Sequence, residues 1–445
     1  MRSETPERLT SLDVFRGITI AGMILVNNPG GRPTYKPLEH AEWNGWTPTD
    51  LVFPFFLFIV GVAMTFAFDR RLSEGRSRAA LFGHVVRRTI ILFSLGLIAY
   101  GFPDVRLMAP YLAIVAALGF LLSHDPFAPI RGAARWRPRD LLAGLLLAAA
   151  IAYWILDFRY FDAPNHRWLN GYPLRVPGVL QRIAVCYLFA SVITLWHRTP
   201  GRVVWVIALL AGYWAIVAFV HPPAAYNPLV EVPGGYLRET RPEGVLHNWI
   251  DERLLGGHLY RERPDPEGVL STLPAVATTL LGVLTGTWLR SPRDRLDKVA
   301  WLFVAANVLL FIGLWAGHVF PINKKIWTSS YVLLAAGLAI HVLTMCYWLV
   351  DVKNWRRWTW PFLVFGTNAI AVFLASGLLA RLLTKVFRWD TADGRTMTLW
   401  AWIYENAFRS WASPANASLA FAVAYVLLWL VLTAPLYRRR IFIRV

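Results

Sequence analysis

The chain has 445 residues, of which 56% are hydrophobic and 16% are charged, and its formal net charge is +18. A soluble domain has roughly 45–50% apolar and about 25% charged residues, so this composition argues against a soluble protein and indicates one surrounded mainly by lipid. The basic excess is typical of helix ends on the cytoplasmic side of a membrane, so nucleic acid is not an expected partner. Cys186 and Cys346 both lie in apolar runs, so a disulfide framework is not expected either.

Apolar runs long enough to cross a bilayer recur along the whole chain. A spanning helix needs about 20 mostly apolar residues. Twelve such runs lie near 14–28, 50–68, 84–101, 107–123, 140–157, 176–195, 202–220, 270–289, 299–318, 327–350, 360–384 and 415–436. They predict an all-α fold, a polytopic membrane helix bundle of about 12 transmembrane helices forming a single membrane-embedded domain, 1–445. The helix pair predicted within 102–170 is a candidate insertion.

Basic residues are concentrated in alternate connections between these runs. The short ones carry arginine groups such as Arg70-Arg71, and the tail ends in Arg438-Arg439-Arg440. The positive-inside bias therefore predicts cytoplasmic N- and C-termini. The longer connections 29–49, 158–175, 221–268 and 385–414 then face the outer side. Because loops as long as 221–268 are usually functional, this one is the expected substrate-side loop, and the tryptophan-rich 385–414 is predicted to lie partly along the outer interface.

Polar side chains at membrane depth are costly and are therefore candidates for function. Asp13 and Arg16 are three residues apart, so they share one face of the first helix and can form an ion pair. For Asp13 a structural pair is the better interpretation. Arg16 lies deeper in the apolar run, where it could also meet an anionic ligand.

The first loop, 29–49, carries the richest polar cluster. Asn27 and His40 lie on opposite arms of this loop, at its outer mouth. Thr49 or Asp50 is predicted to cap the next helix. A histidine can act as a general base near neutral pH, and an asparagine amide can donate a hydrogen bond to a developing oxyanion. From the residue types alone, an exposed loop histidine and a helix-end asparagine explain the pattern at least as well.

Three further places combine polar residues with apolar runs. Arg182 begins such a run, so it needs a partner, either a phosphate or a carboxylate such as Asp157 or Glu267. Lys324 is a lysine on the outer side, against the positive-inside trend, and its alternative role is an interfacial anchor. Asn368 is placed well inside a helix, where it could bond to a neighbouring helix. The ten histidines are scattered without metal-ligand spacing, so no metal is expected.

Several of these motifs, taken in order, resemble the heparan-α-glucosaminide N-acetyltransferase family. They are Ser11-Leu12-Asp13-Val14-Phe15-Arg16-Gly17, Val26-Asn27, His40-Ala41-x-Trp43-Asn44-Gly45, Asp50-Leu51-Val52-Phe53-Pro54, Pro177-Gly178-Val179-Leu180-Gln181-Arg182, Asp265-Pro266-Glu267-Gly268 and Pro321-x-Asn323-Lys324-x-x-Trp327. The resemblance covers nearly the whole chain except about 102–170, and it is to the shorter bacterial members of the family.

The resemblance implies a transmembrane acetyltransferase in a bacterial inner membrane, with the lipid bilayer as its surroundings. It would move an acetyl group from cytoplasmic acetyl-CoA to an amino sugar of the glucosamine type on the periplasmic side. The family's active-site histidine falls on His40 and its neighbouring asparagine on Asn27. The phosphates of CoA call for cations, for which the candidates are Arg16, Arg87, Arg88 and Arg182. The acceptor site would draw on Asp251, Glu267, Asn323, Lys324, Trp43 and Asn44.

Some alternatives stay open at the level of the sequence. A sugar or glycan transporter would share the helix bundle and its intramembrane polar groups. An O-acyltransferase of cell-envelope glycans would differ only in its acceptor. Direct transfer and an acetyl-His40 intermediate fit the residues equally well. For Arg87 and Arg88 an ordinary positive-inside anchor is as good an interpretation as a ligand contact, and a homodimer is left open.

Overall fold

The computed structural model describes residues 9–102, 175–223, 246–255, 258–260 and 264–443. Its helices are α1 Thr10–Asn27, α2 Pro48–Ser73, α3 Arg78–Gly101, α4 Val179–Trp196, α5 Thr199–Phe219, α6 Leu246–Leu255, α7 Thr272–Leu289, α8 Arg295–Ala316, α9 Ser329–Tyr347, α10 Trp360–Thr367, α11 Ala369–Arg381, α12 Leu399–Ile403 and α13 Pro414–Arg438. Lys36–Leu38 forms a 3₁₀ turn, and π-helical turns at Trp348–Val352, Leu382–Val386 and Tyr404–Arg409 extend α9, α11 and α12.

Nine helical segments of the described chain are long and apolar enough to cross a membrane. They are Pro48–Ser73, Arg78–Gly101, Val179–Trp196, Thr199–Phe219, Thr272–Leu289, Arg295–Ala316, Ser329–Val352, Ala369–Val386 and Pro414–Arg438. The protein is thus an all-α, multi-pass membrane protein, as predicted. The runs near 107–123 and 140–157, and with them the candidate insertion 102–170, lie largely outside the described residues. The total of about 12 spans and the cytoplasmic termini stay predictions.

The chain divides into two compact units. Unit 1 comprises Met1–Ala63, Thr285–Lys324 and Ser330–Val445, and unit 2 comprises Met64–Leu284 and Lys325–Ser329. That residues 1–445 form one membrane-embedded domain stays a prediction.

In unit 1, helix α1 packs against α10 with their backbones in near contact. A Cβ atom on Gly17 would lie 1.8 Å from the carbonyl oxygen of Phe362, and one on Gly366 would lie 1.9 Å from that of Asp13. Small residues at such crossings let two helices approach where lipid offers no hydrophobic force to join them. The predicted Asp13–Arg16 pair forms here, with Arg16 Nη1 3.0 Å from Asp13 Oδ1, and the same nitrogen reaches the Gly366 carbonyl oxygen at 3.3 Å.

The helix predicted over 360–384 is broken at Asn368, so the prediction that this residue lies inside a helix and bonds to a neighbouring one is wrong. Helix α10 ends before Asn368 and α11 begins after it. The side-chain amide nitrogen donates to the Ile441 carbonyl at 3.1 Å, and its oxygen accepts from the Ile443 backbone N–H at 2.8 Å. Asparagine amides compete with helical backbone bonding, and here the amide fixes the chain beyond α13.

The tryptophan-rich segment 385–414 contains a short hairpin followed by a helix. Strand β1, Arg388–Asp390, pairs antiparallel with β2, Thr396–Thr398. Gly394, in the turn between the strands, has φ +77°, a conformation that favours glycine. Beyond β2, Trp400 is buried and donates to the Gly30 carbonyl at 3.3 Å, whereas Trp389 is exposed. The segment is therefore partly docked on the rest of unit 1.

In unit 2, helix α3 packs along α4 through a second close approach. A Cβ atom on Gly96 would lie 2.3 Å from Gln181 Oε1, and one on Gly178 would lie 2.3 Å from the Tyr100 ring. The glycines leave room for the polar side chain of Gln181 between the two helices. The Pro177–Arg182 motif therefore has a packing role, since Gln181 points into this contact.

The contact between α1 and α10 yields a stability prediction. We expect Gly17→Ala to destabilise the protein by roughly 1–3 kcal/mol or more, because the added methyl group would overlap rigid backbone. Gly377→Ala on α11 is the matched control, because its Cβ would meet nothing within 4 Å, and a helical Gly→Ala change in open space is neutral or slightly stabilising. Thermal unfolding in detergent measures both. Equal melting temperatures for the two variants would contradict the packing argument.

Candidate functional site

The first turn of α2 is built around the carboxylate of Asp50. The sequence Thr47-Pro48-Thr49-Asp50 forms one half of a capping box, in which the side chain of the third helical residue accepts from the backbone N–H of the residue before the helix. Asp50 Oδ2 accepts from the backbone N–H groups of Thr47 and Ala41, both at 3.0 Å, and from Thr47 Oγ1 at 3.1 Å. Asp50 thus caps the start of α2, but from the third helical position and not from the predicted N-cap position, which falls on Thr47. Thr49 does not, because its hydroxyl donates to the Pro37 carbonyl at 3.0 Å.

The other oxygen of the same carboxylate faces His40 and Lys324. Asp50 Oδ1 lies 2.7 Å from His40 Nδ1 and 3.3 Å from Lys324 Nζ. Lys324 Nζ is in turn 2.9 Å from His40 Nδ1 and 3.4 Å from Nε2. The Asp50 side chain is 1% exposed and that of Lys324 16%, whereas that of His40 is 51% exposed. These three residues, called the Asp50–His40–Lys324 cluster below, all belong to unit 1.

Lys324 reaches His40 because two distant loops are bonded together. The backbone N–H of Gly45 donates to the Ile322 carbonyl at 2.7 Å, and Gly45 forms an isolated parallel bridge with Asn323. Asn323 Nδ2 also donates to Asn44 Oδ1 at 3.3 Å. Gly45 has φ +100°, which explains the glycine at this position. The predicted acceptor residues Asn44, Asn323 and Lys324 are therefore gathered beside His40, and Trp43 lies half-buried in the same loop.

The hydrogen bonding of His40 determines what its ring can do. Asp50 Oδ1 only accepts, so at 2.7 Å it favours a proton on His40 Nδ1. The Lys324 ammonium only donates, so with this tautomer its 2.9 Å approach to Nδ1 is not a hydrogen bond, and its bonded partner in the cluster is the Asp50 carboxylate. Nε2 of the neutral ring then carries the lone pair, on a side chain that is half exposed. Lys324 supplies a cation that offsets the charge of the buried Asp50. The cluster has the parts of a general base with its orienting carboxylate.

Asn27 is the last residue of α1, and its side chain is exposed. Within the part of the chain that the structure describes, the polar contacts of His40 are to Asp50 and Lys324 and do not include Asn27. Asn28, the next residue, is buried, and its amide donates to the Ile24 carbonyl at 2.8 Å. The oxyanion role of Asn27 stays a prediction.

In unit 2, Glu267 and Asp265 surround Arg175, which sequence reasoning missed. The Arg175 guanidinium bonds to both carboxylates and to Tyr100 Oη, the last at 3.1 Å, and it lies 4.5 Å from the centre of the Tyr260 ring. Burial alone would lower the pKa of Arg175, but Glu267, Tyr100 and Asp265 together raise it above its ordinary value. Glu267, predicted to bind an acceptor, is thus held in an ion pair.

Two other predicted ligand residues of unit 2 also have structural contacts. Asp251 Oδ1 accepts from the Val269 backbone N–H at 2.9 Å, so it holds the loop that follows Glu267. Arg182 is buried and bonds to the Gly268 carbonyl at 2.9 Å and to Ser271 Oγ, with its guanidinium 5.2 Å from the Trp327 ring centre. Its partners are therefore a carbonyl, a hydroxyl and an aromatic ring rather than a bonded carboxylate such as Glu267. Asp157 lies outside the described residues.

Arg87 and Arg88 lie side by side on α3. Arg87 is exposed, whereas Arg88 is half-buried with its guanidinium 5.0 Å from the centre of the Tyr187 ring of α4. Arg16, the remaining predicted cation, belongs to unit 1 and contacts Asp13 and Gly366 as described above. Over the described ranges, no group of three or more His, Cys, Asp and Glu side chains is gathered as a metal site.

His247 in α6 is a buried histidine that the sequence did not single out for a structural role. Its Nε2 lies 2.7 Å from Tyr213 Oη, and the tyrosine hydroxyl donates to the Ile326 carbonyl. Because the single tyrosine proton goes to the carbonyl, the histidine must donate through Nε2. Burial, with Arg182 nearby, lowers the pKa of His247 to about 3, so the ring is neutral at ordinary pH.

Fold and site together define a class: a polytopic all-α membrane protein with a half-exposed histidine held by a buried carboxylate at the end of a spanning helix. The chain is similar to the human protein named heparan-α-glucosaminide N-acetyltransferase, with 26% identity over 483 residues, covering 99% of this chain and 60% of the human protein. The mouse protein of the same name is 26% identical over 475 residues, covering 99% and 61%.

These similarities support a relationship to the heparan-α-glucosaminide N-acetyltransferases at the level of the family, which confirms the resemblance seen in the motifs. The chain spans about three-fifths of the length of the curated relatives it matches. No protein-family model matches it.

The buried neutral His247 predicts an acid-sensitive unit 2. Unfolded histidine titrates near 6.5, so this group contributes stability that is present above pH 6.5 and is lost as the pH falls toward 3, the pKa in the folded protein. Between pH 7 and pH 5 we expect wild type to lose about 2 kcal/mol more than His247→Gln, whose amide keeps the donor to Tyr213. Melting curves in detergent at several pH values measure the difference.

The control for this prediction is His197→Gln, at an exposed histidine in the same unit. Its pH dependence should follow that of wild type. If His247→Gln loses stability toward pH 5 as steeply as wild type does, His247 is not the group responsible.

Proposed function

We propose that the chain is a membrane acetyltransferase that uses acetyl-CoA to acetylate an amino sugar of the glucosamine type. The acceptor would be on the periplasmic side of a bacterial inner membrane, in keeping with the basic short loops predicted to be cytoplasmic. The observation that carries the proposal is the Asp50–His40–Lys324 cluster. It brings together residues from three of the motifs on which the family resemblance rests, and the relatives that the chain matches are named for N-acetyl transfer.

Transfer from a thioester to an amine makes three demands. The amine must lose a proton, the tetrahedral oxyanion must be stabilised, and the CoA thiolate must leave. In the proposed reaction the amine nitrogen attacks the acetyl carbonyl carbon, and its proton passes to His40 Nε2. Collapse of the intermediate breaks the carbon–sulfur bond, and the imidazolium returns the proton to the departing thiolate. General acid–base catalysis of this kind is typically worth about 10²–10⁴-fold.

Asp50 has a defined part in this scheme. Because its Oδ1 accepts from His40 Nδ1 at 2.7 Å, the basic nitrogen is Nε2, and the imidazolium formed during transfer is stabilised by a buried carboxylate. Asp50 is thus a positioning residue, acting through His40. The amide of Asn27 is the oxyanion donor assigned from the family resemblance. The Lys324 ammonium, 3.4 Å from His40 Nε2, is a second donor close to the reacting nitrogen.

The same geometry accommodates covalent transfer through an acetyl-His40 intermediate, since Nε2 belongs to a side chain that is half exposed. Kinetics separate the two routes. A ping-pong pattern, with release of CoA before the acceptor binds, supports the intermediate, and a sequential pattern supports direct transfer. If the protein is incubated with acetyl-CoA in the absence of acceptor and then quenched, mass spectrometry would show whether an acetyl group is attached to His40.

Variants of the cluster test the assignment of the base. We expect His40→Ala to lower kcat for acetyl transfer by about 10²-fold or more. We expect Asp50→Asn to lower kcat by about 10-fold or more, since an amide can donate to Nδ1 and so favours the wrong tautomer. Glu42→Gln, the same carboxylate-to-amide change at an exposed position of the loop, should leave kcat unchanged. Purified protein, acetyl-CoA and a panel of amino sugars and envelope glycans, with products identified by mass, provide the assay.

Folding must be checked alongside activity, because Asp50 also caps α2. If His40→Ala and Asp50→Asn melt at about the same temperature as Glu42→Gln, their loss of activity comes from the missing catalytic group and not from unfolding. Wild-type turnover by folded His40→Ala would overturn the base assignment. Products acetylated only on hydroxyl groups would change the acceptor class to envelope glycans. Uptake of sugar into proteoliposomes without acetyl-CoA, and no transfer with it, would favour a transporter.

A further inference from the structure

The end of α2 and the first part of α3 carry six arginines in nineteen positions: Arg70, Arg71, Arg76, Arg78, Arg87 and Arg88. The turn between the helices is sharply defined. Gly75 has φ +84°, and Ser77 caps α3 by accepting from the Ala80 backbone N–H at 3.2 Å. A defined turn brings the two groups of arginines, from different helices, to the same end of unit 2.

Four of these residues, Arg71, Arg76, Arg87 and Arg88, lie around His84 on α3, close enough for each to interact with it electrostatically. Arg71 is also within electrostatic range of Arg88 and of Tyr187 on α4, and the Arg88 guanidinium stacks over the Tyr187 ring. The four residues are called the arginine cluster below. Arg71 comes from α2, Arg76 from the turn, and Arg87 and Arg88 from α3, and two of the four, Arg71 and Arg88, lie within range of Tyr187 on α4.

The arginine cluster has no bonded counter-ion within the part of the chain that the structure describes. The nearby Glu74 pairs instead with Arg70, at 3.9 Å between Nε and Oε1. In the same part of the chain, Arg88 Nε is buried without a hydrogen-bond partner. Like charges held together repel, and buried N–H groups left unbonded cost free energy, so this arrangement is favourable when an anion is present.

The ordinary interpretation of basic residues at a helix end is a set of separate anchors at the membrane surface. Arginines that act as separate anchors have no reason to lie close together or to contact an aromatic ring. Guanidinium groups bind phosphate through two parallel N–H donors, which makes arginine the residue suited to recognising it. Among the described residues, the proximity of the arginines, the lack of a bonded carboxylate and the unbonded Nε–H of Arg88 together favour a ligand with phosphate groups over independent anchors.

We propose that the arginine cluster is a binding site for phosphate groups. Two sources have this chemistry, the pyrophosphate and 3′-phosphate of CoA and the headgroup of an anionic lipid. The nucleotide source rests on the proposed function and refines it, because it names the residues that would hold the phosphate end of the acyl donor. The lipid source is independent of that function.

Binding measurements on the full chain in a nonionic detergent test the nucleotide source. The probes are CoA and 3′-dephospho-CoA, and the readout is Kd by isothermal titration. Arg76→Gln/Arg87→Gln is the principal variant, because both residues are exposed and the change should not affect folding. Arg88→Gln tests the stacked residue. Arg439→Gln/Arg440→Gln, at two exposed arginines of the basic tail, removes the same charge elsewhere.

If the cluster holds nucleotide phosphates, both cluster variants raise the Kd for CoA by about tenfold or more, while the tail variant stays near wild type. The affinity of wild type should also fall with added salt, and 3′-dephospho-CoA should bind more weakly than CoA. Wild-type CoA binding without any acetyl transfer would refute the proposed function and leave the phosphate site standing. Normal transfer with an unchanged Kd for CoA in both cluster variants would remove the nucleotide source alone.

Nanodiscs test the lipid source. Melting temperatures are compared in phosphatidylcholine with and without phosphatidylglycerol. If the cluster holds lipid headgroups, phosphatidylglycerol stabilises wild type and the tail variant but not the two cluster variants. If neither CoA affinity nor stabilisation by phosphatidylglycerol distinguishes the cluster variants from the tail variant, the arginine cluster is not a phosphate site.

Discussion

The carboxylate of Asp50 is the interaction on which the candidate site depends. A charge that is only 1% exposed is costly unless donors surround it. Here Oδ2 takes the backbone N–H groups of Ala41 and Thr47, and Oδ1 faces His40 and Lys324. The start of α2 adds a favourable helix dipole. One oxygen therefore folds the loop that carries His40, and the other orients its ring, so local structure and proposed chemistry have the same physical cause.

This arrangement explains why the candidate catalytic and acceptor-binding residues come from two distant parts of the sequence. The loop that follows α1 supplies His40 and Asn44, and the segment before α9 supplies Asn323 and Lys324. Backbone pairing of Gly45 with Ile322 and Asn323 joins them, as strands join in a sheet. Tyr331 in α9 then donates to the Asp50 carbonyl, so the first turn of α2 is tied to a second spanning helix of unit 1. The loops that carry the candidate site residues are thus held by spanning helices, the rigid elements of the bundle.

The sequence predicts those features that depend on local pattern. Apolar run length located the spans that the structure describes, and spacing along one helix predicted the Asp13–Arg16 pair. The break at Asn368 could not be predicted, because apolar residues continue on both sides and the groups that bind its amide lie beyond α13. Nor could the approach of Lys324 to His40, since it depends on pairing between loops 284 positions apart. A capping role for Asp50 could be predicted from its place before an apolar run, but the contacts of its carboxylate with His40 and Lys324 could not.

Charge compensation separates structural cations from candidate binding cations. Arg175 bonds to Asp265 and Glu267, and Arg16 bonds to Asp13, so their charges are neutralised within the fold. Arg182 has a carbonyl, a hydroxyl and the Trp327 ring, a polar environment that holds it in the interior of unit 2. The arginine cluster differs from Arg16 and Arg175, because the described chain offers it no bonded carboxylate, and from the buried Arg182, because its members are exposed or half-buried. In the described chain, the buried cations thus have bonded partners, whereas the arginine cluster is exposed or half-buried and has no bonded carboxylate, which is what the proposed phosphate site requires.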